Sequence, residues 1–150
     1  MPQSFTRLHY HLVFSTKYRM PVITDEMRPR LWNYLGGIVR EEGGVPVAIG
    51  GTADHVHLLV TLRQQPALSD VLRHLKAGSS GWVHDMFPEV DNFWWQTGYG
   101  AFTVSHSGID KVAAYIANQE EHHKHRTFQD EFRTLLTKHG HEFAEEDLWD

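Results

Sequence analysis

The sequence predicts an α+β fold with a split βαβ sheet, and three features carry that prediction. Leu8–Ser15, Val45–Ile49 and His55–Leu62 are short runs rich in β-branched and aromatic residues, as strands are. Two stretches between and after them repeat apolar residues at helical spacing: Met27, Leu31, Leu35, Ile38 and Val39, then Leu68, Val71, Leu72 and Leu75. Gly50-Gly51 joins the second and third strands as a hairpin, and an aromatic stretch follows the second helix. The order β-α-β-β-α-β is the ferredoxin-like one, an antiparallel sheet with helices on one face and its first and third strands adjacent at the centre. An added C-terminal helix completes the prediction.

Each element has its own punctuation. Thr24 and Asp25 offer an N-cap to the first helix, and Gly43-Gly44 ends it. Pro66 precedes the second helix, which Gly78 and Gly81 weaken beyond Lys76. Phe93–Ser105, broken by Gly98 and Gly100, suits one bent strand or a hairpin. From about Gly108 to Glu121 a helix is expected with Ile109, Val112 and Ile116 on its apolar side, and Phe128–His139 reads as a last amphipathic helix. At 150 residues the chain fits one domain. Residues 1–126 are expected to form its body, and 127–150 a terminal helix and acidic tail of the same domain.

Composition narrows the chemistry. There are no cysteines, which excludes disulfides and thiolate metal sites. No apolar run approaches the ~20 residues that span a bilayer. Arg7, His9 and His11 interrupt the first apolar stretch, so no signal peptide is read and a cytoplasmic location is expected. The net charge of -5 sits in the tail: residues 1–126 hold 12 Lys and Arg against 12 Asp and Glu, while 127–150 hold two against seven. Residues 1–40 carry six basic residues against two acidic ones. A basic first segment and an acidic tail permit a polyanion on one face without demanding it.

His55-Val56-His57 places two imidazoles on one side of a strand, because residues i and i+2 share a face. Such a pair suits a divalent cation but needs further ligands. Among 12 histidines the same spacing recurs at His9-Tyr10-His11, and spacing does not choose between the pairs. Asp54 either orients an imidazole or forms the turn. A histidine-triad hydrolase would need a third histidine where Leu59 stands. On the later helix Tyr115 and Gln119 are i and i+4, on one face. A tyrosine there is more often a packing residue, and as a nucleophile its phenol, with a pKa of about 10, needs activation. Gln119 offers an amide oxygen suited to Mg2+ or Mn2+. His122-His123-Lys124-His125 is either a rival ligand source or, preferred here, a solvated helix end.

His55-Val56-His57, preceded by Asp54 and followed by Leu58-Leu59, resembles the motif of the HUH endonucleases. Tyr10-His11 with Thr16-Lys17-Tyr18-Arg19, Trp95-Gln96 with Gly98-Tyr99-Gly100, and Tyr115-Ile116 with Gln119 resemble, in order, the blocks of the single-tyrosine transposases of the insertion-sequence-200/605 type. The resemblance implies a metal-dependent enzyme that cuts and rejoins single-stranded DNA. Tyr115 is then the nucleophile, and His55, His57 and Gln119 hold Mg2+ or Mn2+. It further implies a 5′-phosphotyrosine intermediate, folded single-strand hairpins as substrate, and a homodimer. Lys17, Arg19, Arg73 and Lys76 are candidate phosphate contacts, with His11 facing the site. Two other readings stay open: a domesticated relative cleaving palindromic repeats, and a non-catalytic single-strand binding module.

Overall fold

The computed structural model describes residues 2–150. Strand β1 (Leu8–Ser15) leads to helix α1 (Met27–Glu41); strands β2 (Val45–Gly51) and β3 (His55–Leu62) follow, then helix α2 (Leu68–Met86) and strand β4 (Gly100–Val104). The sheet order is β2-β3-β1-β4, with every neighbouring pair antiparallel. β1 and β3 therefore lie at the centre, as the ferredoxin-like order requires. Three helices complete the chain: α3 (Ile109–Ala117), α4 (Gln119–His122) and α5 (Phe128–Lys138).

Strand alternation sorts the two faces. Even-numbered residues of β1 and β3, among them Leu12, Phe14, Val56, Leu58 and Val60, join Leu31, Leu35, Val71 and Leu75 in the main core under α1 and α2. Each such side chain contributes about 1.5–3 kcal/mol by leaving water. The odd-numbered residues, including His11, Val13, His55 and His57, face the other way. There Val13 packs with Phe102, Phe128, Phe132 and Leu136, which fastens α5 to the sheet. So α1 and α2 cover one face, and the added C-terminal helices cover the other.

Four segments depart from the sequence reading. Gly50-Gly51, expected as the hairpin turn, instead ends β2 and pairs with His57 and Val56. α2 continues through Gly78 and Gly81, because Ser79 and Val83 are buried and a Cβ at Gly78 would meet Ile38 at 3.0 Å. Helix packing here outweighs the low helix propensity of glycine. Within 93–105 only Gly100–Val104 pairs along β1, while Trp95 makes a single bridge to Thr16. Phe93 and Trp95 turn into the core instead. The expected helix from Gly108 to Glu121 breaks at Asn118 (φ -97°, ψ 15°), so Tyr115 lies in the last turn of α3 and Gln119 opens α4.

Gly50 sets how closely α3 lies on the sheet. A Cβ there would sit 2.4 Å from the Ile116 carbonyl oxygen, which is backbone and cannot rotate away. Gly50→Ala is therefore expected to lift the helix that carries Tyr115 and to destabilise the chain by about 1–3 kcal/mol. A urea midpoint equal to that of the wild type would contradict this.

Candidate active site and metal centre

His55 and His57 stand on the α5 face of β3, opposite Ser15 and Val13 of β1, and both are wholly buried. The second histidine pair separates from them. His9 bonds Thr61 at 2.8 Å and lies 3.2 Å from His106, away from the cluster, whereas His11 Nε2 lies 2.7 Å from His57 Nδ1.

The centre of the cluster is a residue the sequence reading missed. Glu131, one turn into α5, is 1% exposed. Its Oε1 lies 2.8 Å from His57 Nε2 and 3.0 Å from His123 Nε2. Its Oε2 accepts the Tyr115 hydroxyl and, at 2.9 Å, the Gln119 amide N–H. The structure thus brings Tyr115, His57, His123 and Gln119 onto one carboxylate, although the Asn118 break separates the tyrosine and glutamine helices. His123 corrects the expectation of a solvated helix end. Lys124 and His125 are exposed, but the turn after α4 folds His123 inward to Glu131. One signal for Glu131 was present: at i+3 from Phe128 and beside Phe132, it interrupts the apolar stripe of its helix with a charge.

Burial and hydrogen bonding set the protonation states. Burial alone would raise the Glu131 carboxyl, but hydrogen bonds from His123 and His57 outweigh it and hold Glu131 well below the usual carboxylate range. Burial pulls His57 down to about 4, more than Glu131 restores. It pulls His11 down to about 3, with His57 adding to the shift. Burial, with the adjacent Glu131 carboxylate, raises the Tyr115 phenol well above its ordinary value. The His57, His11 and Glu131 shifts share one sign for stability. His123, raised because its hydrogen bond to Glu131 outweighs burial, opposes them in part, and the raised Tyr115 phenol acts only in alkali. Histidines with a lowered folded pKa lose stability as pH falls below 6.5, and a carboxylate with a lowered folded pKa loses it below about 4.5. The chain, held in chelator, is expected to lose urea resistance steadily from pH 7 to pH 4. A midpoint flat across that range would contradict the assignment.

The donor set fits a cation. His55 Nδ1 lies 2.8 Å from Asp54 Oδ1, so Asp54 orients that imidazole. A neutral imidazole donates from one nitrogen only, which leaves His55 Nε2 as an acceptor. It points at Gln119 Oε1, 2.8 Å away, while the Gln119 amide nitrogen is turned to Glu131. A divalent ion placed between these two atoms would take one ligand from each.

The candidate phosphate contacts divide. Arg73 pairs with Asp70 on the surface, its side chain 65% exposed. Lys17 is half-buried, with its ammonium 5.4 Å from the Tyr18 ring. Arg19 is held by Asp150 and lies over Trp149 at 5.0 Å. Lys76 is committed to the carbonyls of Gln96, Thr97 and Gly98, and burial lowers it to about 8. His11 is buried behind His57 and lines a cleft of about 420 Å³ with Thr103, Lys111, Tyr115, Lys138 and His139. The acidic tail packs against the body through Asp150, which bonds Thr97 and Arg19.

Comparison with known proteins decides the family. A sequence model described as "Transposase IS200 like" matches residues 4–119. The chain belongs to the IS200-like transposase family. The matched segment of this IS200-like transposase contains His55, His57, Tyr115 and Gln119, and ends before His123 and Glu131. The ISDra2 transposase TnpA of Deinococcus radiodurans is 29% identical over 120 residues, covering 77% of this chain and 86% of that protein. The transposase for insertion sequence element IS200 of Salmonella typhimurium is 27% identical, covering 77% and 78%. A solved transposase structure from Deinococcus radiodurans R1 superposes with a TM-score of 0.63 at 31% identity, over 79% of this chain and 98% of that one. A REP-associated tyrosine transposase bound to a REP hairpin shares the fold, with a TM-score of 0.56 at 14% identity over 79% and 70%. Among the described residues no helix is long and apolar enough to cross a membrane.

Proposed function

We propose that this IS200-like transposase cuts and rejoins single-stranded DNA hairpins in the cytoplasm, through a covalent link between Tyr115 and a 5′-phosphate. The observation that carries the reading is the Tyr115 hydroxyl held on Glu131, the same carboxylate that meets His57 and Gln119. In the forward step a Tyr115 O–P bond forms and the P–O3′ bond breaks. The tyrosine proton leaves, and the departing 3′-oxygen gains one. Attack by another 3′-hydroxyl reverses the exchange, so the phosphoester count is unchanged and no nucleotide hydrolysis is required.

Each residue of this chain has a part in that exchange. His55, His57 and Gln119 would hold a divalent ion, Mg2+ or Mn2+, which supplies charge neutralisation at the scissile phosphate. Glu131 fixes the direction of the Tyr115 hydroxyl by accepting its hydrogen bond, and the phenol proton passes to solvent as the O–P bond forms. Lys111 and Lys138, on the cleft beside Tyr115, are suited to the flanking phosphates. Pairing of two copies into a homodimer is part of this reading.

Exposed aromatics give the strand a place to stack. Tyr18 is 63% exposed and Trp94 54%, and the chain segments bearing them are joined by the Lys17 N–H to Trp94 carbonyl bond of 2.7 Å. Base stacking on an aromatic ring contributes about 1–3 kcal/mol. Trp94→Ala or Tyr18→Ala is thus expected to weaken hairpin binding by roughly 5- to 150-fold. Unchanged affinity in a fluorescence anisotropy titration would remove this surface from the account.

The function itself is tested with a single-stranded hairpin oligonucleotide and Mg2+ or Mn2+ on a denaturing gel. The expected products are a free 3′-hydroxyl fragment and a protein-linked fragment. Binding without any adduct, with hairpin after hairpin and either ion, would favour the non-catalytic binding module.

A further inference from the structure

We infer that Glu131 and His123 are metal ligands together with His55 and His57, so that this chain builds an imidazole-rich, anionic centre that takes a first-row transition ion in preference to Mg2+ before DNA binds. The inference rests on the metal-dependent reading above and changes its ligand set.

The geometry is that of a coordination site. One ligand atom from each of the four residues lies within 4.8 Å of all the others. Glu131 Oε1 is 2.8 Å from His57 Nε2, 3.0 Å from His123 Nε2 and 3.6 Å from His55 Nε2. Metal–nitrogen bonds of about 2.1 Å place neighbouring ligand atoms roughly 3–3.5 Å apart, so little movement is needed.

The outer nitrogens are already secured. His123 Nδ1 lies 2.6 Å from the Arg126 carbonyl oxygen, and His55 Nδ1 lies 2.8 Å from the Asp54 carboxylate. With those outer contacts kept, a cation would replace the inward Nε2 proton of His123, and each Nε2 would offer its lone pair inward, the arrangement that orients histidine ligands. Phe128 and Phe132, packed on Val13 and Phe102, hold the helix that delivers Glu131.

Both added residues lie past the family match, which ends at residue 119. Gln119 then becomes a positioning residue. It donates to Glu131 Oε2, the oxygen that also holds the Tyr115 hydroxyl, so a ligand carboxylate ties the nucleophile to the metal centre. Mg2+ favours octahedral oxygen ligation and retains its waters, whereas imidazoles favour later divalent ions.

The test is Mn2+ binding to the whole, DNA-free chain, read by loss of the free-ion EPR signal and by calorimetry, with circular dichroism to check folding. One Mn2+ is expected per chain, retained in a large excess of Mg2+. Glu131→Gln and His123→Ala are each expected to weaken it by more than about 100-fold, beyond the roughly 10- to 100-fold that loss of an outer partner of a ligand costs. His123 is half-buried on a turn, so its variant keeps the test open should the Glu131 variant not fold. Wild-type affinity in a folded Glu131→Gln and in His123→Ala would overturn the ligand assignment, and displacement by equimolar Mg2+ would overturn the selectivity. His57→Ala separates the two readings. If it alone loses Mn2+, the extended set is wrong and the simpler one stands; if it too binds normally, the metal-dependent reading also fails.

Discussion

Replacing Tyr115 by Phe is expected to abolish the covalent protein–DNA adduct while leaving hairpin binding within a few-fold of wild type. Removing a nucleophile costs on the order of 10^4-fold or more in rate, because the remaining groups have no bond to form with the phosphorus. Binding is spared because it draws on stacked bases and phosphate charges rather than on the phenol oxygen. The substitution also removes one donor from Glu131, but His57, His123 and Gln119 still satisfy that carboxylate. The variant should therefore fold, so loss of the adduct can be read as loss of chemistry. Gel shift and denaturing gel on the same sample separate the two effects.

His57→Ala is the second large effect, and it acts twice. It removes an imidazole from the metal set, so cleavage should fall to the level seen in chelator. It also deletes a partner of Glu131, which is 1% exposed, and of His11. Removing a neutral hydrogen-bond donor from a buried carboxylate costs about 1.5–3 kcal/mol. His123 and Gln119 remain on Glu131, so the loss is expected at the low end of that range. Urea denaturation in chelator measures the stability component, and cleavage by the folded variant measures the catalytic one. Full cleavage with chelator present would sink the metal role.

Much of this site was legible because strands have a strict period. His55 and His57 had to share a face once His55–Leu62 was read as a strand, and the pairing with β1 placed His11 on that same face. The choice between two equally spaced histidine pairs was not local. It depends on which pair α5 covers, and that is fixed by Phe128 and Phe132 packing on Val13 and Phe102, more than 25 residues away. Glu131 was obscured for the same reason: an acid in an acid-rich tail reads as solvated until its helix is docked. His123 needed the break at Asn118 and the turn that follows, neither of which the helical periodicity announced. Lys76 is the reverse case. Its charge suggested a phosphate contact, and only the folded course of residues 96–98 shows three carbonyls already holding it.

The bond between Tyr115 and DNA is the claim on which the rest depends, and peptide mass spectrometry of the adduct tests it most directly. After reaction with a hairpin, nuclease trimming and trypsin, the peptide spanning residues 112–124 should carry a nucleotide mass through a phosphodiester on Tyr115. A nucleotide on Tyr10, Tyr18 or any other side chain, with the 112–124 peptide unmodified, would contradict the account.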